Sequence, residues 1–195
     1  AFMKEFRENK NFQKKIIVQN LDIIEEVKKS SEPVIFISGH FNNFELMAMQ
    51  IEKSGIDLAA VYRPLNNNFL NPIMENIRKK YICRNQIRKG ISGTKYLLNS
   101  FKKGTSIALM IDQRVSEGIN SPLFNLNALT TTIPAQFVKK FNSKIVPVYI
   151  ERLEGNNFCI KFHKPIIFKN EENVETITAK LNRELEIKAL KNTDQ

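Results

Sequence analysis

Apolar positions along this chain switch repeatedly between helical and strand-like spacing. Over residues 11–29, Ile16, Ile17, Leu21, Ile24 and Val27 stand among charged residues at helical spacing, which predicts an amphipathic helix. Ser30-Ser31-Glu32-Pro33 ends it, because the ring of Pro33 disfavours helical backbone at Glu32. The apolar run Val34-Ile35-Phe36-Ile37 predicts a buried strand over 34–38, and residues 43–54 a helix stopped by Gly55. A second strand is predicted over 58–62, broken by Arg63-Pro64. Then come a basic helix over 69–81, a loop holding Arg84, Arg88, Lys89 and Gly90, and a helix over 92–103 closed by Gly104. Residues 105–111 read as a third strand, and 116–130 as a long loop with little periodicity. A helix follows over 132–141, with Thr131 or Thr132 as N-cap and Pro134 in its first turn. Residues 144–152 predict a fourth strand. Phe158, Ile160 and Phe162 alternate with Cys159, Lys161 and His163, which reads as a half-buried edge strand. A final helix is predicted over 174–190.

Alternating strands and helices of this kind predict an α/β fold: a central, mostly parallel β-sheet flanked by helices. The expected organisation is one domain over 1–195, with residues 1–30 as an amphipathic helical region. Ligands of such folds sit beyond the carboxyl ends of the strands. Ser38-Gly39-His40, Arg63-Pro64 and Asp112-Gln113-Arg114 each follow a predicted strand, so three polar clusters converge on one sheet edge.

Composition narrows the chemistry. At 42% hydrophobic and 9% aromatic residues, the chain is not of the disordered class. No apolar stretch is long enough to span a bilayer, and no signal-peptide pattern opens the chain. The first residue is Ala1 rather than Met, so the chain is expected to begin inside a longer protein. Cys83 and Cys159 have no ligand-spaced neighbours, which favours reduced thiols over an otherwise unsupported disulfide; with no histidine pair and no cysteine cluster no metal site is expected, and no cofactor is expected either. Thirty basic against 20 acidic residues give a net charge of +10. That charge favours phospholipid headgroups, phosphorylated sugars, an acidic carrier protein or nucleic acid, and a solvated lysine-rich surface produces it equally well. A basic nucleic-acid-binding module lacks its aromatic-basic motifs here, so no nucleic-acid partner is expected. An inactive membrane-binding module is the other non-enzymatic reading.

The candidate chemistry centres on Gly39-His40-Phe41-Asn42-Asn43-Phe44-Glu45. A histidine at the mouth of a strand, five residues before a carboxylate, can form a general base with its own orienting group. The carboxylate of Glu45 is expected to hold one ring nitrogen of His40 and leave the other free. No G-x-S-x-G elbow is present and neither cysteine lies in a nucleophile-like context, so a covalent acyl-enzyme is not expected. Read from spacing alone, both residues also fit ordinary structural roles. His163 reads as structural or exposed.

These residues resemble the G-H-F/Y-x-N-W/F-E form of the His-X4-Asp/Glu acyltransferase motif, typical of the late acyltransferases of lipid A biosynthesis. Val61-Tyr62-Arg63-Pro64-Leu65-Asn66 resembles that family's V-Y-R-P-x-N block, and Arg78 falls where the family has an arginine in the next helix. Leu98 to Gly104 with Asp112-Gln113, the stretch Pro122-Leu123-Phe124 with Thr130 to Pro134, and Val146 to Arg152 are similar to later blocks in the same order. Arg114 stands where members often carry an acidic residue, Asn125 where they usually carry glycine. Lys191-Asn192-Thr193-Asp194-Gln195 resembles the start of the family's N-P-E-Q tail, with Thr193 in place of proline. The resemblance implies a fragment cut at both ends, without the family's N-terminal membrane anchor.

The resemblance implies transfer of a fatty acyl chain from a thioester, on acyl carrier protein or coenzyme A, to a hydroxyl of a phosphorylated glycolipid, the lipid A precursor. It makes His40 the base, Glu45 its partner, Arg63 and Arg78 binders of phosphate or an oxyanion, and Asp112 and Gln113 holders of Arg63 or substrate, with Arg152 a weaker binding candidate. It places the work at an anionic membrane surface, the cytoplasmic face of the inner membrane of Gram-negative bacteria. The related glycerol-phosphate acyltransferases carry N-H-x-x-x-x-D and E-G-T-R instead. A phospholipid or another glycolipid, such as a phosphatidylinositol mannoside, is the alternative acceptor. The basic helix 69–81 and the loop 84–89 are expected to meet carrier protein or anionic headgroups.

Overall fold

A computed structural model describes residues 2–191. They contain nine strands: β1 (Ile16–Gln19), β2 (Ile35–Ser38), β3 (Leu58–Tyr62), β4 (Asn85–Arg88), β5 (Ser106–Met110), β6 (Ile119–Leu123), β7 (Leu126–Thr130), β8 (Ile145–Leu153) and β9 (Asn157–Phe162). The helices are α1 (Met3–Glu8), α2 (Lys10–Gln13), α3 (Leu21–Ser30), α4 (Glu45–Lys53), α5 (Leu70–Tyr81), α6 (Ile91–Lys102), α7 (Ile133–Phe141) and α8 (Val174–Lys191). Seven strands make one sheet in the order β1-β9-β8-β2-β5-β3-β4, and β6 and β7 form a separate antiparallel hairpin. Every pairing in the large sheet is parallel except β8 with β9. The expected α/β class, a mostly parallel sheet between helices, is what the chain adopts.

All four residues of β2 are buried, because helices cover both faces of the sheet. Side chains of a strand alternate between faces, so Phe36 joins one core and Ile35 and Ile37 the other. The first core packs Phe36, Val146, Val148 and Ile150 against Ile24 and Val27 of α3 and Leu46 and Met47 of α4. The second packs Ile35, Ile37 and Ile107 against Leu97 and Phe101 of α6, Phe137 of α7 and Leu181 and Leu185 of α8. Burying each such side chain contributes about 1.5–3 kcal/mol.

Four expectations change. The helix over 11–29, and with it the helical reading of 1–30, is interrupted by β1: Ile16, Ile17 and Val18 are β-branched and pair in parallel with Phe158, Cys159 and Ile160. That pairing makes β9 an inner strand rather than an edge. Residues 85–88 are not loop but the edge strand β4, in register with residues 59–62 of β3. The expected loop over 116–130 contains the hairpin, with Ile119 opposite Thr130 and Leu123 opposite Leu126. Its two turn residues, Phe124 and Asn125, have φ of 51° and 60°. A two-residue turn of this hand matches the twist of its strands, and asparagine tolerates it best after glycine. Asn125, where the resemblance leads to an expectation of glycine, thus takes up the left-handed backbone itself. The tail resemblance lies, from Asn192 on, outside the described residues.

Candidate active site

The carboxyl ends of β2 and β5 are neighbours in register, with Ser38 opposite Met110. The Ile111 N–H donates to the Ser38 carbonyl at 2.9 Å and carries the pairing past the strand ends. His40 and Asp112 each lie two residues beyond that registered pair, so the two turns bring them together. The Asp112 carboxylate accepts from the His40 main-chain N–H at 2.7 Å and lies 2.7 Å from the ring Nδ1. Gly39 allows this approach. A Cβ there would stand 2.8 Å from the Phe41 ring, 3.0 Å from Leu185 of α8 and 3.2 Å from the Asp112 carboxylate. The Phe44 ring meets the imidazole edge-on, with centroids 4.8 Å apart.

Burial pushes the Asp112 carboxyl upward, but the hydrogen bonds from the His40 ring and main chain outweigh it and hold the group below the ordinary aspartate range. An ionised carboxylate only accepts. Nδ1 therefore carries a proton, and in the neutral ring this leaves the lone pair on Nε2. Glu45, expected as the ring's partner, is instead the partner of Arg78: Nε of Arg78 donates to it at 2.8 Å, with both side chains largely buried. Glu45 opens α4 one residue after Phe44, and Arg78 comes from the last turn of α5. The Arg78 guanidinium also lies 5.5 Å from the Tyr62 ring centroid, and its buried Nη1 has no hydrogen-bond partner among the described residues.

A cavity of about 170 Å³ opens beside these groups. Ala48, Ala60, Ala108, Ile82 and Met110 form apolar wall, while His40, Glu45, Arg63, Arg78, Gln113 and Lys89 supply the polar part. Ala60 and Ala108 are directly paired across β3 and β5, so the space exists because both residues are small. Lys89 donates to Gln113 at 3.3 Å, and burial, followed by the charge of Arg63, holds its ammonium below the ordinary lysine range. Of the candidate residues, His40, Glu45, Arg63, Arg78 and Gln113 line the cavity. Asp112 stands behind His40 and does not hold Arg63. Arg152 sits on the far end of β8 with its guanidinium 5.5 Å from the Phe158 ring, away from the cavity. His163 packs edge-on against Tyr149 at 5.3 Å, away from the cavity; burial, then Lys188 and Lys161, lower its pKa. Tyr62 and Lys89 join the site unforeseen as site members; each ends or follows a strand beside a polar cluster. Among the described residues, no group of three His, Cys, Asp or Glu side chains could hold a metal ion.

The chain is similar to known proteins over most of its length. It is 24% identical over 192 residues to the lipid A biosynthesis myristoyltransferase of Escherichia coli K12, covering 96% of this chain and 59% of the relative. It is 24% identical over 172 residues to lipid A biosynthesis acyltransferase 1 of Shigella flexneri, covering 87% of this chain and 53% of the relative. The chain thus spans rather more than half the length of these relatives. Among solved structures, the 1-acyl-sn-glycerophosphate acyltransferase PlsC of Thermotoga maritima superposes with a TM-score of 0.48 at 15% identity, over 88% of this chain and 72% of that one. The family model of the bacterial lipid A biosynthesis acyltransferases matches residues 1–195, and the chain belongs to that family.

Proposed function

We propose that this chain carries the catalytic centre of an acyltransferase that moves a fatty acyl group from a thioester, on acyl carrier protein or coenzyme A, to a hydroxyl of a phosphorylated lipid A precursor. The observation that carries the reading is the His40–Asp112 contact of 2.7 Å at the mouth of an apolar cavity. Nε2 of His40 takes the proton from the acceptor hydroxyl as its oxygen attacks the thioester carbonyl. The tetrahedral intermediate collapses, the C–S bond breaks, and the imidazolium returns the proton to the departing thiolate. Asp112 fixes the ring tautomer and stabilises the imidazolium between the two steps.

Glu45 orients Arg78, which leaves the second half of its guanidinium for a phosphate or carbonyl oxygen. Arg63, Lys89 and Gln113 add polar donors at the mouth, and the alanine-lined wall takes the proximal part of the acyl chain. In this reading the acceptor is a lipid, the acyl chain arrives as a thioester, and the protein works at the anionic cytoplasmic face of the bacterial inner membrane. The test is transfer from labelled lauroyl or myristoyl carrier protein to tetra-acylated lipid A precursor, with products resolved by mass. One added acyl chain, absent with His40→Ala, is the expected result. No transfer by the unmodified protein would overturn the acceptor, and transfer undiminished in the variant would overturn the base.

A further inference from the structure

Four large apolar side chains crowd the connection from the cavity mouth into α5 and face water. Phe69 is 89% exposed, Ile73 56%, Leu70 52% and Leu65 38%. The segment is not loose chain. The Asn67 side chain accepts from the main-chain N–H groups of Phe69 and Leu70 at 2.9 and 3.1 Å. The Asn71 side chain accepts from the Leu65 N–H at 2.8 Å, and the Asn71 N–H donates to the Asn67 carbonyl at 2.9 Å. A tip that bonds four of its amides within itself while its apolar side chains point outward is suited to a medium poorer in hydrogen bonds than water.

Charge selects the medium. Arg63, two residues before Leu65, is exposed, as are Lys79 and Lys80 at the other end of α5. At 100° per residue, Ile73 and Lys80 fall on the same face of α5 as Phe69, and Lys80 lies about 16 Å further along the axis. An apolar end that enters about 5–10 Å into a bilayer therefore leaves the ammonium groups at or just above headgroup level. Arg63 also lines the cavity, so the same surface is continuous with the site.

We propose that residues 65–73 insert into the interface of an anionic lipid bilayer and hold the mouth of the cavity against it. The proposal rests on the reading of the site as one that acylates a lipid, and its test does not require that reaction to be observed. The chain contains no tryptophan, so Phe69→Trp provides a single indole reporter. Ile167→Trp is the control: Ile167 is 71% exposed and follows the bridge between Ile166 and Ile145, the first residue of β8, at the opposite edge of the sheet.

With vesicles of phosphatidylglycerol and phosphatidylethanolamine, the indole at position 69 is expected to shift to the blue and to be quenched by lipids brominated on their acyl chains. The control is expected to do neither. In the otherwise unchanged protein, Phe69→Asp with Ile73→Asp should lower vesicle partitioning about tenfold or more, with the thermal midpoint and transfer to a detergent-dispersed acceptor retained. Absence of quenching at position 69, or equal quenching at both positions, overturns the proposal. A blue shift that tracks protein concentration without vesicles would assign the patch to a second copy instead. A shift produced by acidic carrier protein alone would assign it to protein docking. Quenching at position 69 without any acyl transfer would count against the proposed reaction and leave this surface standing.

Discussion

Asp112 accepts two hydrogen bonds from His40, one from the ring and one from the main chain, while Glu45 only five residues along the chain holds Arg78. The two carboxylates therefore have separable tasks. Asp112→Asn keeps the shape but loses the charge that fixes the imidazole, and turnover should fall about 10²- to 10⁴-fold with little change in binding. Glu45→Ala leaves a largely buried guanidinium unpaired and should cost about 3 kcal/mol of stability. Removing Arg78 as well should cost less than the two single changes added together, which a thermal or denaturant double-mutant cycle reads directly.

The sign of the Asp112 effect is also fixed. Its carboxyl is lowered in the folded chain, so its stabilising contribution is present above the unfolded value of about 3.9 and is lost as pH falls through the folded one. The difference in midpoint between the unmodified protein and Asp112→Asn should therefore shrink as pH drops below about 4. Cys83 behaves in the opposite sense: burial pushes its thiol up to about 11, and its Sγ–H donates to the Leu58 carbonyl. The thiol should resist alkylation at pH 8 in the native protein and react only after denaturation.

At the scale of elements, the legible part of the sequence is the part with strong periodicity. The buried strands over 34–38, 58–62 and 105–111 and the helices beside them carry continuous apolar runs or amphipathic spacing, and the chain forms them within a residue or two. The missed elements take their conformation from partners. β4 has a single buried apolar residue, Ile87, and is a strand because β3 offers it an edge. The β6–β7 hairpin exposes much of its length and is set by its turn and by Asn182 of α8, whose amide donates to the Pro122 carbonyl and to Thr130. Phe124 occupies a backbone conformation that glycine adopts freely, so Phe124→Gly should raise stability by at most about 1 kcal/mol, read as a higher thermal midpoint. The paired alanines of β3 and β5 are likewise invisible as a site in the sequence, since nothing there states which strands are neighbours. Ala108→Leu fills the cavity and should reduce use of long-chain donors more than short ones, measured as the ratio of their rates.

At the scale of the whole molecule, strand order decides the site. Three strand ends converge as the alternation of elements predicts, but only the adjacency of β2 and β5 makes Asp112 the partner of His40, 72 residues away. From the sequence, the nearest carboxylate was the natural partner; the sheet supplies a more distant one. Part of the excess of 10 positive charges lies at the cavity, where Arg63, Arg78 and Lys89 are among the lining residues. Among the described residues no helix is long and apolar enough to cross a membrane.

The most direct measurement compares acyl-transfer rates of Asp112→Asn and Glu45→Gln with that of the unmodified protein, using lauroyl carrier protein and tetra-acylated lipid A precursor at saturating concentrations. The expected result is a fall of two orders of magnitude or more for Asp112→Asn, with a smaller fall for Glu45→Gln accompanied by weaker acceptor binding. Full turnover in Asp112→Asn, with loss confined to Glu45→Gln, would contradict the assignment of Asp112 as the residue that positions the base.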